Sequence, residues 1–339
     1  MTTPDGKTTR LHDARRHIDG LCKPPGSLGR LETLAGRLCE IQGSTKPQTF
    51  PRSCSVFAAD HGVTAEGVSA WPSEVTASVV ELMQDSRTAS GVFANTLSCR
   101  YEVVNVGLLR KMEGSTVDSR IRAGTRNLLR EAAMTPSEFD RALEVGRTRA
   151  ALAIDAGAKV LVGGDMGIGN TTAATCLIAL LCDVAPDTIV GRGAGVDDDG
   201  LRRKTDVIVQ ACRRAAAVAN DAKSLACEVG GFEIVALVGF YVEAARRGLV
   251  VVLDGLISTA AAVLAERLFA GTRGVMVAGH RSVEPGHIAA IDFLGLFPLL
   301  DLEMRLGEAT GALAALPLLD LAAAMCRDMA GLQDLTSAG

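Results

Sequence analysis

An apolar run passes into a glycine-rich turn and then into a helical pattern at Val160-Leu161-Val162-Gly163-Gly164-Asp165-Met166-Gly167-Ile168-Gly169-Asn170-Thr171-Thr172. Glycines let the backbone turn tightly and approach a ligand closely, because they carry no Cβ. The first N–H groups of the following helix have no partner inside the helix and lie at the positive end of its dipole. The motif therefore predicts an anion site, most often for phosphate, and a nucleotide or phosphosugar is the first candidate ligand.

The same glycines also suit a purely structural turn that packs a helix tightly on a strand. The loop matches neither the Walker A pattern nor the Gly-x-Gly-x-x-Gly pattern of dinucleotide sites, and it contains no Gly-Lys-Thr. A P-loop for triphosphates is therefore disfavoured, whereas a site for a monophosphate is not.

The pattern of an apolar strand followed by a helix repeats along the chain. We predict strands over 53–59, 101–106, 160–162, 188–190, 249–253 and 274–278, with helices between them. Strands that are apolar throughout and alternate with helices indicate a parallel sheet that is covered on both faces. Residues 1–50 and 293–339 lie outside this alternation and have mainly helical patterns.

Functional residue types follow the predicted strands, at the sheet edge where ligands of parallel α/β folds bind. These strand ends carry Asp60-His61, Gly107, Gly164-Asp165, Gly191-Arg192-Gly193, Asp254-Gly255 and Gly279-His280. In the second glycine loop, Arg192 suits a phosphate and a surface carboxylate equally well. Lys204 on the next helix is a weaker phosphate candidate, because lysines are usually exposed to solvent.

A metal-dependent hydrolase is the first alternative. Its ligands would be Asp60, His61, His280, Glu284 and His287. Their spacing matches no standard zinc pattern, and the ring nitrogens could equally hydrogen-bond to loop backbone. We therefore predict no metal site. A second alternative is a non-catalytic nucleotide sensor that binds a phosphosugar through the glycine loops.

Glu308 lies among glycines and aliphatic residues in Arg305-Leu306-Gly307-Glu308-Ala309-Thr310-Gly311-Ala312-Leu313. A carboxyl group in an apolar pocket is harder to ionise and can be tuned for proton transfer near neutral pH. The composition of the motif equally allows a glutamate that begins a helix and faces water.

Composition limits the possible partners. The 339 residues carry a net charge of −4 and only 4% aromatic residues, so we do not expect nucleic-acid binding. The nine cysteines are odd in number and form no Cys-x-x-Cys, a pattern typical of a reducing cytoplasm. The N-terminus is polar, and apolar windows such as 174–182 and 249–265 are interrupted or too short for a bilayer. We therefore predict a cytoplasmic protein without a membrane partner.

Seven motifs, taken in order, resemble the nicotinate-nucleotide–dimethylbenzimidazole phosphoribosyltransferase family. They are Lys23-Pro24-Pro25-Gly26-Ser27-Leu28-Gly29-Arg30-Leu31-Glu32, Ala59-Asp60-His61-Gly62-Val63, Gly164-Asp165-Met166-Gly167-Ile168-Gly169-Asn170-Thr171-Thr172, Gly191-Arg192-Gly193-Ala194-Gly195, Leu253-Asp254-Gly255, Gly279-His280-Arg281-Ser282 and Gly307-Glu308-Ala309-Thr310-Gly311-Ala312. Each motif is weak alone, but seven in this order, from about residue 20 to 325, are specific.

The resemblance implies that ribose 5-phosphate moves from nicotinate mononucleotide to a benzimidazole nitrogen, giving α-ribazole 5′-phosphate and nicotinate. It implies a Rossmann-like large domain over 50–292, with a parallel sheet and helices on both faces, and a small helical domain formed from 1–49 and 293–339. It also implies a homodimer with its active site near the subunit interface, and Glu308 as the general base. The scheme requires no cofactor.

The two glycine loops are expected to hold the 5′-phosphate. The substrate-binding and phosphate-binding residues that we predict are Asp165, Met166, Gly167, Ile168, Gly169, Asn170, Thr171, Gly191, Arg192, Gly193, Lys204 and Ser69. Ser69, Trp71 and Met166 are candidates to line the base site, although Trp71 equally suits ordinary packing. Two residues depart from the family pattern, because Asp165 replaces the usual Glu and Ala309 the usual Gly. Both bear on the preferred base rather than on the reaction type.

Overall fold

A six-stranded parallel sheet forms the centre of the computed structural model, which describes residues 13–335. The strands are β1 (Arg52–Ala59), β2 (Arg100–Gly107), β3 (Val117–Asp118), β4 (Val160–Met166), β5 (Val250–Leu253) and β6 (Met276–Ala278). Their order across the sheet is β3-β2-β1-β4-β5-β6, and each neighbouring pair is parallel. This arrangement confirms the predicted parallel α/β fold.

The helices connect the strands and flank the sheet. They are α1 (13–19), α2 (Arg30–Gln42), α3 (Glu74–Gln84), α4 (Ala89–Thr96), α5 (Pro136–Asp155), α6 (Asn170–Cys182), α7 (Asp198–Val218), α8 (Ala222–Val229), α9 (Phe232–Arg247), α10 (Leu256–Leu268), α11 (Pro285–Leu294) and α12 (Thr310–Asp328). Thr135 begins α5 as predicted, since its side chain accepts from the Glu138 N–H and the Glu138 carboxylate accepts in return from the Thr135 N–H.

Successive residues of a strand point to opposite faces of the sheet, and each face has its own apolar core. Phe57 and Leu161 belong to the core under α5, α6, α9 and α10. Their neighbours Val56 and Val162 belong to the core under α2, α3, α4 and α12. Helices from the two ends of the chain, α2 and α12, thus pack together on the second face. The domain boundaries near residues 50 and 292 stay a prediction.

Two local expectations were wrong. No strand forms over 188–190, because a short 3₁₀ turn at Pro186–Thr188 leads directly into the second glycine loop. The short edge strand β3 lies instead in a segment, 110–130, for which we expected only a surface excursion. The helical pattern over 73–97 divides into α3 and α4, where Ser86 takes a left-handed conformation. The first two residues of the helix expected from residue 11 lie outside the described residues.

Helix α12 is long and apolar enough to cross a membrane by length and composition, contrary to our expectation that no apolar segment of the chain reaches that size. However, 61% of the relevant window is buried inside the structure. Its residues Leu313, Leu316 and Leu319 are fully buried against the sheet and α2. Packing in the core therefore accounts for the apolar character of α12.

Candidate active site

A pocket opens at the carboxyl edge of the sheet, beyond the ends of β4, β5 and β6. It is lined by residues from five segments of the chain: Asp165, Asn170, Thr171, Gly193, Gly255, Leu256, Ile257, His280, Ser282, Glu284, Arg305, Leu306 and Gly307. The pocket thus brings together the two glycine loops, the loop after β6 and the loop before α12. Four of the predicted binding residues line this pocket, namely Asp165, Asn170, Thr171 and Gly193.

The first glycine loop is held close to the end of β1. A Cβ on Gly167 would collide with the carbonyl oxygen of Ala59, so only glycine fits there. Gly169 precedes α6 in a left-handed conformation and supplies no capping side chain. The side-chain amide of Asn170 donates to the Asp165 carboxylate over 3.0 Å. The first turn of α6 therefore meets the pocket without a side-chain cap.

A second helix also begins at the pocket. Gly255 precedes α10 and offers no capping side chain, and Gly255, Leu256 and Ile257 line the cavity. Backbone N–H groups in a first helical turn attract anions. The sequence analysis names Asp254-Gly255 among the functional strand ends but not among the predicted binding residues.

Lys204 is fully buried and joins the two glycine loops, contrary to the surface position usual for lysine. Its Nζ donates to Thr171 Oγ1 over 2.8 Å and to the carbonyl oxygen of Gly191 over 3.1 Å. Burial lowers the pKa of Lys204 to about 8, although the nearby Glu284 carboxylate acts in the opposite direction. Lys204 therefore holds α6, α7 and the second loop in one arrangement.

The second glycine loop is fixed by a carboxylate on one side and a guanidinium on the other. The Gly193 N–H donates to Glu284 Oε1 over 2.9 Å, and a Cβ on Gly191 would collide with the same carboxylate. Arg305 Nη1 donates to the Gly193 carbonyl oxygen over 3.1 Å. Sequence reasoning gave neither Glu284 nor Arg305 a role in this pocket.

Arg192 pairs with a surface carboxylate, one of its two predicted alternatives. Its Nη2 lies 2.5 Å from Asp198 Oδ1, and its Nη1 donates to the Val196 carbonyl oxygen over 3.0 Å. Half of its side chain is exposed. Its guanidinium thus bonds within its own loop, whereas Arg305 is the arginine that lines the pocket.

Glu308 lies in an unusual backbone turn. Gly307, Glu308 and Ala309 are all left-handed, with φ of 84°, 60° and 68°. For a residue with a Cβ this conformation costs about 1–2 kcal/mol, so other contacts must hold it. Asp254 supplies them, because its carboxylate accepts the N–H groups of Ala309, Gly311 and Ala312 over 3.1, 2.7 and 3.1 Å.

Glu308 is 9% exposed, and burial raises its pKa to about 7. A hydrogen bond from Ser90 Oγ to Glu308 Oε2, at 3.4 Å, lowers the pKa, and the negative charge of Asp254 raises it. A carboxyl group with this pKa exchanges protons readily at neutral pH. Such a group suits general base catalysis.

Asp165 is also buried, and it lies near the carboxyl groups of Asp254, Glu233 and Glu308. Its pKa is raised well above the ordinary value, first by burial and then by the charges of Asp254 and Glu233, although the Asn170 amide opposes the shift. Gly307 lies beside it, since a Cβ there would be 3.4 Å from Asp165 Oδ2. Asp165 therefore lies between the first glycine loop and the Glu308 turn.

The residues of the metal alternative have other partners. His61 Nε2 lies 2.7 Å from Glu233 Oε1, and both side chains are fully buried. The His287 ring bonds to the carbonyl oxygen of His280 and to Thr259 Oγ1, at 3.1 and 3.2 Å. Across residues 13–335, no three His, Cys, Asp or Glu side chains are grouped as a metal site requires.

The other predicted site residues, Glu308 among them, do not belong to the pocket lining. Met166 and Ile168 are buried in the core under α3 and α12. The Ser69 hydroxyl accepts the N–H of Trp71 over 3.2 Å, and the Trp71 side chain is 54% exposed. A role for Ser69, Trp71 and Met166 in binding a base stays a prediction.

Comparisons with known proteins agree with this geometry. The profile of a family described as phosphoribosyltransferase matches residues 3–335. The nicotinate-nucleotide–dimethylbenzimidazole phosphoribosyltransferase of Chromobacterium violaceum is 46% identical over 94% of this chain and 92% of its own length. The enzyme of the same name from Thermus thermophilus is also 46% identical, over 91% of this chain and 93% of its own.

Solved structures give the same result. The crystal structure of CobT from Thermus thermophilus matches with a TM-score of 0.92 and 45% identity, covering 97% of this chain and 98% of that one. A second crystal structure from this organism, of a protein with the phosphoribosyltransferase name above, matches with a TM-score of 0.91 and 43% identity over 99% of each chain. The chain therefore belongs to the nicotinate-nucleotide–dimethylbenzimidazole phosphoribosyltransferase family, and it is a transferase.

Proposed function

We propose that this enzyme transfers the 5-phosphoribosyl group of nicotinate mononucleotide to 5,6-dimethylbenzimidazole or a related base. The products are α-ribazole 5′-phosphate and nicotinate, in a step of cobalamin synthesis. The names of the relatives support these substrates. The single observation that carries the proposal for this chain is Glu308, a buried carboxyl group with a pKa of about 7 beside a pocket built from two glycine loops.

The chemistry needs a base and no acid. Nicotinate is attached to ribose as a pyridinium, so it leaves with a neutral ring nitrogen and requires no proton. One nitrogen of the benzimidazole attacks the ribose carbon from the opposite face, and the other nitrogen must lose its proton. Glu308 accepts this proton in our proposal, a contribution of roughly 10²- to 10⁴-fold for a well-placed general base.

The 5′-phosphate binds, in this proposal, among the first turns of α6 and α10 and the second glycine loop. Thr171 and Arg305 supply donor groups in the lining at this position, and Lys204 holds the two loops together. Anchoring a phosphate that does not react places the ribose carbon near the incoming nitrogen. Positioning of this kind contributes substantially to rate.

We further propose that the enzyme is a cytoplasmic homodimer whose interface lies next to the Glu308 turn. Three large apolar side chains support this position, because Phe297, Leu302 and Leu306 are 74%, 60% and 59% exposed in the loop that leads to Glu308. An apolar cluster of this exposure is typical of a surface that another protein covers. The nine free thiols are consistent with a reducing compartment.

Assay of the purified enzyme with nicotinate mononucleotide and dimethylbenzimidazole tests the proposal. Nicotinate should be released only when the base is present, and ribazole phosphate should form in equal amount. Glu308→Gln should lower kcat by roughly 10²- to 10⁴-fold at neutral pH. Glu144→Gln is the matched control, because Glu144 is an exposed glutamate on α5 and should keep full activity.

Two results would contradict the proposal. Binding of the nucleotide without any transfer would indicate a sensor. Nicotinate release that needs no benzimidazole would indicate a hydrolase. Full turnover by Glu308→Gln would leave the proposed reaction standing but would show that Glu308 is not its general base.

A further inference from the structure

Glu308 has to lose a proton in each cycle of the proposed reaction. After it has accepted the proton of the benzimidazole it is a neutral acid, and it must be a carboxylate again before the next turnover. Its side chain is 9% exposed, so little of it meets solvent directly. Asp254 is a buried carboxylate, and its negative charge raises the affinity of Glu308 for the proton.

The hydroxyl beside Glu308 belongs to Ser90, which is fully buried in the first turn of α4. Ser90 Oγ has three oxygen neighbours. Glu308 Oε2 lies at 3.4 Å, Tyr101 OH at 2.9 Å and Thr88 Oγ1 at 3.0 Å. A hydroxyl has one hydrogen to donate and two lone pairs that accept. Ser90 can therefore donate to the Glu308 carboxylate while it accepts from both Tyr101 and Thr88.

Thr88 connects this cluster to the surface. It is the N-cap of α4, its side chain accepts the Gly91 N–H over 3.5 Å, and it is half-buried beside the exposed Arg87. Tyr101 on β2 is half-buried as well, and its hydroxyl is the other hydrogen-bond partner of Ser90 Oγ. Hydrogen-bonded hydroxyls thus lead from Glu308 through Ser90 to the half-buried Thr88 at the start of α4.

We propose that Ser90 and Thr88 relay the proton of Glu308 to solvent, and this inference rests on the proposed function. The neutral Glu308 donates its proton to Ser90 Oγ, Ser90 donates its own hydrogen to Thr88 Oγ1, and Thr88 releases one to water. One O–H bond breaks and one forms at each hydroxyl, so both end as hydroxyls. Rotation of the two hydroxyls then restores the arrangement that stabilises the carboxylate.

Three variants test the relay by steady-state kinetics. Ser90→Ala removes the hydroxyl next to Glu308 and Thr88→Val removes the outlet, so each should lower kcat about tenfold or more. Thr88→Ser keeps the hydroxyl and should recover most of the rate. Thr96→Val is the matched control, since Thr96 is an exposed threonine at the end of the same helix. The KM for nicotinate mononucleotide should stay within about twofold in all of them, because the phosphate loops are unchanged.

The solvent isotope effect on kcat separates a relay from a loss of packing. In Thr88→Val, deuterium oxide should slow turnover more than it does in the wild type, because proton release then limits the rate. Unfolding midpoints are measured in parallel, so that a variant that fails to fold is recognised. If Ser90→Ala does not fold, the comparison of Thr88→Val with Thr88→Ser decides the test. Equal rates for Thr88→Val and Thr88→Ser, or wild-type kcat in Ser90→Ala, would overturn the relay.

Failure of the relay is distinct from failure of the proposed function. The wild type and Glu308→Gln are assayed beside the relay variants. If the wild type forms ribazole phosphate and Glu308→Gln does not, while Ser90→Ala and Thr88→Val are fully active, only the relay is wrong. If the wild type forms no ribazole phosphate, the proposed function itself is wrong.

Discussion

Glu308 shows how one side chain is tuned by contacts from distant parts of the sequence. The Asp254 carboxylate holds the left-handed turn by accepting three N–H groups, and its negative charge raises the pKa of Glu308. The Ser90 hydroxyl stabilises the ionised form. Burial outweighs that hydrogen bond, and the pKa of about 7 is the balance of these effects.

The pH dependence of kcat/KM should report this balance. Because the pKa of Glu308 is raised to about 7, the group is protonated below that pH and cannot act as a base. The rate constant should therefore fall about tenfold for each pH unit below the pKa and level off above it. Ser90→Ala should move this fall in kcat/KM to higher pH, because it removes the hydrogen bond that lowers the pKa of Glu308. A profile that is flat from about pH 5 to about pH 8 would exclude Glu308 as the titrating base.

Part of the site could be predicted from single motifs, and part could not. The composition of their motifs singled out Glu308 and the first glycine loop as candidates, and the role of Glu308 as general base came from the family resemblance. Asp254 and Ser90 were missed as partners of Glu308, since their contacts join positions 55 and 218 residues apart in sequence. Lys204 was expected on a helix surface, and only the packing of α7 against α6 explains its burial.

At the scale of elements, the site depends on how α6 and α7 are joined. Helix α6 begins at the first glycine loop, and α7 carries Lys204 towards that beginning. Both elements belong to the larger apolar core, so their positions are fixed by packing. A buried lysine that bonds to both loops is thus the polar connection between two apolar elements.

Lys204→Met should weaken nucleotide binding more than it slows the chemical step. It removes two hydrogen bonds, to Thr171 and Gly191, and leaves the nearby Glu284 charge without its cation. Hydrogen bonds to a charged group contribute about 1.5–3 kcal/mol, so the KM for nicotinate mononucleotide should rise roughly 10- to 100-fold. Arg202→Met is the control, because Arg202 is an exposed cation on the same helix. An unchanged KM in a folded Lys204→Met enzyme would contradict this account.

The elements themselves were more predictable than their connections. The apolar strands β1, β4 and β5 lie within two residues of the expected bounds at most ends, because their residues are buried on both faces. The run at 188–190 has similar residue types but no neighbouring strand, and it forms no strand. Edge strand β3 has only two residues and no apolar pattern, so sequence periodicity does not reveal it.

At the scale of the molecule, an exposed apolar loop connects the surface with the site. Phe297, Leu302 and Leu306 precede Glu308 in one segment, and Arg30 of α2 stacks over the Phe297 ring at 5.8 Å. The loop thus contacts α2 from the N-terminal part of the chain. If this surface forms the proposed dimer interface, each active site borders on the partner subunit.

Substitution of this surface should separate the subunits. Phe297→Asp combined with Leu302→Asp places charges on the apolar loop, so sedimentation should show a monomer, whereas we expect a dimer for the wild type. Activity should fall with dissociation, because the same loop leads to Glu308. Leu152→Asp on α5 is the control, since Leu152 is also half-exposed but lies on another element. A wild type that sediments as a monomer at assay concentration would contradict the proposal.

The methyl group of Ala309 has a consequence for how this chain can vary. This methyl group packs against Gly164 of β4, because a Cβ added to Gly164 would lie only 2.8 Å from the Ala309 Cβ. The Ala309 side chain thus occupies the space that a side chain at position 164 would need. The two positions therefore share one small volume. A side chain at position 164 would meet the Ala309 methyl group and also lie 3.0 Å from Val56 Cγ2. Enlarging residue 164 would therefore push on the turn that carries Glu308.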